Sequence, residues 1–263
     1  LFGNDQPTPF DLRFRLAGIP VRVSPWFWIV MALFGSNLFN SPKYGPLYLL
    51  LWLACGFVSV LIHEMGHAVA AKFYGSPVTV TLIAFGGVAQ YSYPPRSAIK
   101  RIVIALAGPA AGFGLLGIVV LVRFALIDVP LHPAAEATLW FLFIMNLVWN
   151  LFNLLPIWPL DGGRVCRELF ALAKLRNPDA AVHTTSMVFA GVLVALGLAA
   201  YLNIGIPGLE GTYLEVVQDY LHSSPIMMLW MGLFAFTNYQ MLQAVQRRGY
   251  YYEDDETPPW RRN

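Results

Sequence analysis

The feature that most constrains this 263-residue chain is a series of apolar runs long enough to cross a bilayer. A spanning helix needs about 20 mostly apolar residues. Runs bounded by charges or by proline and glycine breaks fall at about 25–40, 46–72, 100–127, 136–155, 184–204 and 225–246. Little between them could cover a water-facing surface: charged residues make up 12% of the chain and hydrophobic ones 57%, whereas soluble domains use roughly 25% charged residues. That scarcity excludes a soluble enzyme and a disordered chain. A net charge of +2 leaves no basic footprint for nucleic acid. The expected fold is an all-α membrane protein of about six transmembrane helices, with residues 1–263 forming one polytopic domain in the lipid bilayer.

The basic residues test that count. With six spans, 15 of the 17 fall on one side. They cluster before the first run, between runs two and three (Lys72 to Arg101), between runs four and five (Arg164 to Arg176), and after the last. Lys43 and Arg123 are the two exceptions. Positive charge marks the cytoplasmic side, so a multi-pass protein of the cell membrane with both termini cytoplasmic is expected. The first residues contain no apolar stretch of the kind a cleavable signal peptide has. Cys55 and Cys166 are too few for a disulfide framework.

Two segments outside the runs read as strands. Residues 10–24 alternate Phe10, Leu12, Phe14 and Leu16 with charged residues, then turn at Ala17-Gly18. Residues 77–92 are β-branched and aromatic around Gly86-Gly87, a hairpin pattern. A small membrane-associated hairpin or sheet is therefore expected beside the helices.

Ionisable residues inside a bilayer are costly and usually functional. His63-Glu64-Met65-Gly66-His67 lies in the second run. On a helix His63 and His67 share one face, a turn apart, so both imidazoles can reach one metal ion, for which zinc takes nitrogen ligands at about 2.0–2.1 Å. Glu64 is placed to act as general base toward a water at that metal. His63 precedes Lys72 by about 13 Å of helix rise, which puts the site within the bilayer and accessible from the cytoplasm. A catalytic zinc site wants a third protein ligand, and Asp161 is the best candidate. It lies among Pro156, Pro159, Gly162 and Gly163, which allow the irregular backbone tolerated at membrane depth only where it is buried in protein or lines a cavity. An Asp-Gly pair is equally a common turn or cap. His132, His183 and His222 have no second ligand at metal spacing, and ordinary surface or interface roles are expected for them.

At this point the residues resemble the site-2 protease family of intramembrane zinc metalloproteases. His63 to His67 matches its HExxH, and Asn153-Leu-Leu-Pro156 through Asp161-Gly162 matches its N-x-x-P-x-x-x-x-D-G. Gly108-Pro-Ala-Ala-Gly112 resembles its G-x-x-x-(N/S/G), with Gly112 where many members have Asn. The resemblance covers about residues 50–173, a catalytic core of about 46–173, and leaves the runs at 25–40, 184–204 and 225–246 as flanking spans. It implies Zn²⁺ held by His63, His67 and Asp161, with Glu64 as catalytic base. It implies hydrolysis of a peptide bond within or near the transmembrane segment of a membrane-protein substrate. Asn153 would donate to the oxyanion or the substrate backbone, and the Gly86-Gly87 segment would offer a strand edge to an unwound substrate. Gly108 and Gly112 would allow close helix packing. The connectors leave no room for the PDZ or CBS modules of other members. Two rivals use the same residues: a polytopic metal transporter or channel, and an inert relative that only binds partners. A transporter needs polar residues leading onward from the site through the outer halves of runs two to four, and none are expected there.

Overall fold

The structure is a computed structural model describing residues 7–40, 45–84, 86–202 and 225–255. The chain forms two compact units, Leu1–Leu154 and Leu155–Asn263.

In the first unit, β1 (Leu12–Leu16) and β2 (Ile19–Val23) form the expected hairpin. Ala17 (φ 48°) and Gly18 (φ 73°) make its two-residue turn, both in the left-handed region such turns require. β3 (Val78–Ile83) and β4 (Gly86–Tyr91) form the second hairpin. Parallel pairing of Val21–Val23 with Val80–Leu82 joins the two into one sheet of order β1-β2-β3-β4. The inward side chains Ile19, Val21, Val23, Val80 and Leu82 are buried. They pack with Val60, Leu61, Ala68 and Ala71 of helix α2 (Gly45–Phe73). The sheet therefore covers the C-terminal half of α2.

The N-terminal half of α2 is covered by the segment expected as the first span, and here the expectation is corrected. Residues 25–40 form α1 (Pro25–Phe34), Gly35, and a 3-10 turn at Ser36–Asn40. Ten helical residues rise about 15 Å, half of a hydrocarbon core of about 30 Å. The segment climbs along α2. Trp28 stacks on Phe57 at 5.3 Å, and Trp52 Nε1–H donates to the Met31 carbonyl at 3.0 Å. Gly35 closes the helix where a Cβ would stand 2.5 Å from Trp52 Cδ1.

Helices α3 (Ala98–Ala125) and α4 (Pro133–Asn153) complete this unit against α2. His132 caps α4, its Nδ1 accepting the Ala134 N–H at 3.2 Å, a surface role as expected. Where Gly66 of α2 faces α3, a Cβ would stand 2.3 Å from the Ala107 carbonyl oxygen. Such close approach supplies van der Waals contact where lipid removes the hydrophobic drive between helices.

The second unit holds α5 (Asp161–Leu172), α6 (Pro178–Tyr201) and α7 (Pro225–Asp255), with α6 packed on both of the others. The sequence did not indicate α5. Its first residues are Asp161-Gly162-Gly163, a composition that reads as a turn. Arg167 ties α5 to α6, its Nε–H donating to Asp179 at 2.6 Å and its Nη1 to Glu168 at 2.9 Å.

Among the described residues four helices are long and apolar enough to cross a membrane: Gly45–Phe73, Ala98–Ala125, Pro133–Asn153 and Pro178–Ala199. That is two fewer than the six expected. α1 is too short, and α7 carries Asn238, Gln240, Gln243 and Gln246 along its apolar run. His222, Lys43 and the last eight residues lie outside the described residues.

Candidate metal centre

α2 places His63 and His67 one turn apart with both rings buried, at 1% and 3% exposure. The two Nε2 atoms face each other at 3.2 Å. The role of each Nδ1 follows from its other contact. The His67 Nδ1 lies 2.7 Å from the Ile104 carbonyl of α3. A carbonyl only accepts, so that nitrogen carries the proton. The His63 Nδ1 lies 2.8 Å from Asn150 Oδ1. The Asn150 amide nitrogen is turned to the Asn146 carbonyl, which leaves Oδ1 as acceptor and makes His63 Nδ1 a donor too. With Nδ1 donating in both rings, the neutral form of each imidazole presents its lone pair at Nε2 toward the other. At that separation the two nitrogens share either a proton or a metal cation. Two nitrogens bound to one tetrahedral zinc at about 2.0–2.1 Å stand about 3.3 Å apart, so the pair fits such an ion.

Asn150 is the residue that sequence reasoning missed. It is buried at 1% exposure, and the only sign of it was an asparagine in an apolar helix, a costly placement. The Asn146 side chain extends the polar thread one turn further, donating to Ser59 Oγ at 2.9 Å and to the Leu142 carbonyl. The expectation of no polar residues beyond the site is therefore corrected by Ser59 and Asn146. One turn beyond Ser59, Cys55 joins Phe141 and Met145 in an apolar cluster. Asn153, the expected oxyanion donor, bonds to the Trp149 carbonyl of its own helix at 2.9 Å, and among the described contacts it touches neither histidine.

Three glycines make room for these groups. A Cβ on Gly108 would stand 2.1 Å from His67 Nε2. One on Gly112, a turn along α3, would stand 2.2 Å from Asn150 Nδ2. A side chain at 112 and the Asn150 amide therefore exclude each other, which accounts for glycine here. One on Gly87, in β4, would stand 2.2 Å from Glu64 Cγ and 2.7 Å from its Oε1. Glu64 is itself buried at 4% exposure, so β4 lies against the carboxylate. Gly86 (φ 123°) has a conformation L residues rarely adopt and abuts the Trp149 ring.

In the second unit Asp161 begins α5 and is 4% exposed. Arg164 stands 3.9 Å from its Oδ1. A Cβ on Gly163 would meet the Ile157 carbonyl carbon and the Trp158 nitrogen at 2.5 Å. The first turn of α5 therefore packs directly on the backbone of the preceding loop.

The chain matches the model of peptidase family M50 over residues 51–137 and 129–198. It is 34% identical over 161 residues to a zinc metalloprotease of Methanocaldococcus jannaschii, an alignment covering 60% of this chain and 44% of that protein. It is 30% identical over 158 residues to stage IV sporulation protein FB of Bacillus subtilis, covering 58% and 48%. The chain thus spans about half the length of these relatives. Its fold is similar to that of the site-2 protease from Methanocaldococcus jannaschii, with TM-score 0.55, 24% identity, and 89% and 95% of the two chains covered. Because the matched residues take in both the α2 histidine pair and the helix start at Asp161, the chain belongs to peptidase family M50.

Proposed function

We propose that the protein is an intramembrane zinc metalloprotease that hydrolyses a peptide bond within or near the transmembrane segment of a membrane-protein substrate. The observation that carries this reading is the convergence of the His63 and His67 Nε2 lone pairs at 3.2 Å beside a buried Glu64. His63, His67 and Asp161 would hold the zinc. All three are buried and each offers one donor atom, two imidazole nitrogens and a carboxylate oxygen. This donor set suits zinc and leaves a fourth position open. When bound, zinc supplies Lewis-acid chemistry that brings the pKa of water to about 7.

The chain's own residues supply the rest. Glu64 takes the proton of the attacking water and passes it to the leaving amine. Asn153 has a second amide N–H beyond the one given to Trp149 and would donate it to the oxyanion or to the substrate backbone. A helical substrate holds its scissile carbonyl in the helix ladder and must unwind first. β4 is an edge strand, and the bare Gly86-Gly87 backbone next to Glu64 would receive the unwound segment by strand addition. Both termini are cytoplasmic in this reading. It is supported by the β2–β3 pairing, which keeps the basic residues of β1–β2 beside those that follow α2. A metal transporter is disfavoured because the polar thread above His63 ends in the apolar cluster of Cys55, Phe141 and Met145.

The test is purified protein in lipid with a single-span reporter, the product ends mapped by mass spectrometry. Cuts within or next to the apolar segment are expected. Cleavage confined to soluble loops would overturn the reading.

A further inference from the structure

Asp161 stands three residues after Trp158, and the peptide groups of Trp158 are held from outside their own loop. The Trp158 N–H donates to Ser186 Oγ of α6 at 2.8 Å. The Ser186 hydroxyl donates its own proton to the Val182 carbonyl at 2.7 Å, so its lone pair is what receives Trp158. The Trp158 carbonyl accepts from Asn238 Nδ2 of α7 at 2.7 Å, and the same nitrogen donates to the Phe234 carbonyl at 2.8 Å. Both partners are carbonyls, so the orientation of the Asn238 amide is fixed and its Oδ1 faces His183. His183 Nδ1, 2.8 Å away, must therefore donate, and its ring meets the Trp158 ring edge-on at 6.0 Å. Ser186, Asn238 and His183 are 0%, 1% and 7% exposed. The Trp158 N–H and carbonyl, the Ser186 hydroxyl, both ends of the Asn238 amide and His183 Nδ1 are all partnered, the condition under which a buried network becomes rigid.

We propose that Ser186, Asn238 and His183 are positioning residues that fix the Trp158 peptide and, through it, where Asp161 presents its carboxylate. Asp161 cannot move independently of Trp158. Pro159 restricts the backbone between them, and Gly163 packs on the Trp158 nitrogen. The inference rests on the reading of Asp161 as a zinc ligand. It gives α6 and α7, helices outside the sequence motifs, a role in the metal site. Ordering of a ligand by partners one shell out typically changes metal affinity 10–100-fold.

The experiment compares zinc affinity by chelator competition in the full chain. Ser186 and Thr184 both lie on α6, and both donate to the carbonyl four residues back. Of these two hydroxyls, Ser186 is the one that receives Trp158. Ser186→Ala is expected to weaken zinc about tenfold or more, with Thr184→Ala unchanged. Asn238→Ala is expected to weaken it further, and His183→Gln, which keeps a donor toward Asn238, to retain more affinity than His183→Leu. Equal affinity in Ser186→Ala and Thr184→Ala, with Asp161→Ala weakened, would overturn the clamp and leave the ligand reading intact. Unchanged affinity in Asp161→Ala would overturn both. The Ser186 variant removes one hydroxyl, so the comparison stands even if Asn238→Ala does not fold.

Discussion

Gly108→Ala is expected to lose zinc while leaving the rest of α3 in place. The added methyl would stand 2.1 Å from His67 Nε2 and 2.4 Å from its Cε1, so the ring must move. It cannot move freely, because its Nδ1–H is bonded to the Ile104 carbonyl on the same helix as Gly108. Overpacking a tight site costs about 1–3 kcal/mol, and here that cost falls on a nitrogen read as a metal ligand. Zinc affinity should fall on the order of 100-fold, the upper end of what displaced support costs a metal site. Gly114→Ala and Gly117→Ala are matched controls in the same helix, since a Cβ at either meets nothing within 4 Å. Chelator competition on the three variants measures the effect. Gly108→Ala binding zinc as tightly as the controls would remove His67 Nε2 from the metal centre.

Gly87→Ala is expected to separate binding from catalysis. Its methyl would stand 2.2 Å from Glu64 Cγ and 2.6 Å from Cδ. It reaches neither His63 nor His67 among the three nearest atoms. A displacement of about 1 Å at a reacting group costs on the order of 100-fold in rate. Cleavage of a reporter segment should therefore fall about that much, with zinc content unchanged. If cleavage persists at the wild-type rate, β4 does not set the position of Glu64. If zinc is lost as well, Gly87 acts on the fold and not on the base.

What could be read from the sequence was local. The i, i+4 spacing of His63 and His67 needs only helical pitch to bring both rings to one face. The two hairpins followed from alternation and from turn residues such as Gly18. The parallel β2–β3 pairing was not legible, because it joins segments separated by α1 and α2, and no local pattern records such a partner. Asn150, Ser186 and Asn238 were missed for a related reason. Each is a polar residue in a mostly apolar helix with no motif of its own, and its meaning lies in what another helix or loop sets against it. α5 was missed because glycine and aspartate disfavour helix interiors. Gly163 is nevertheless required where the helix start meets the Trp158 backbone. The first run was read as a span because its composition is apolar throughout, whereas its contacts divide the covering of α2 between a short helix and a sheet.

The most direct measurement is zinc content and reporter cleavage on one preparation of the Glu64→Gln protein beside wild type, both reconstituted in lipid. Glutamine keeps the shape of the side chain and removes its capacity to take a proton. The expected result is zinc bound to the same extent in both proteins and cleavage by wild type alone. Cleavage by Glu64→Gln at the wild-type rate, with zinc bound, would contradict the mechanism.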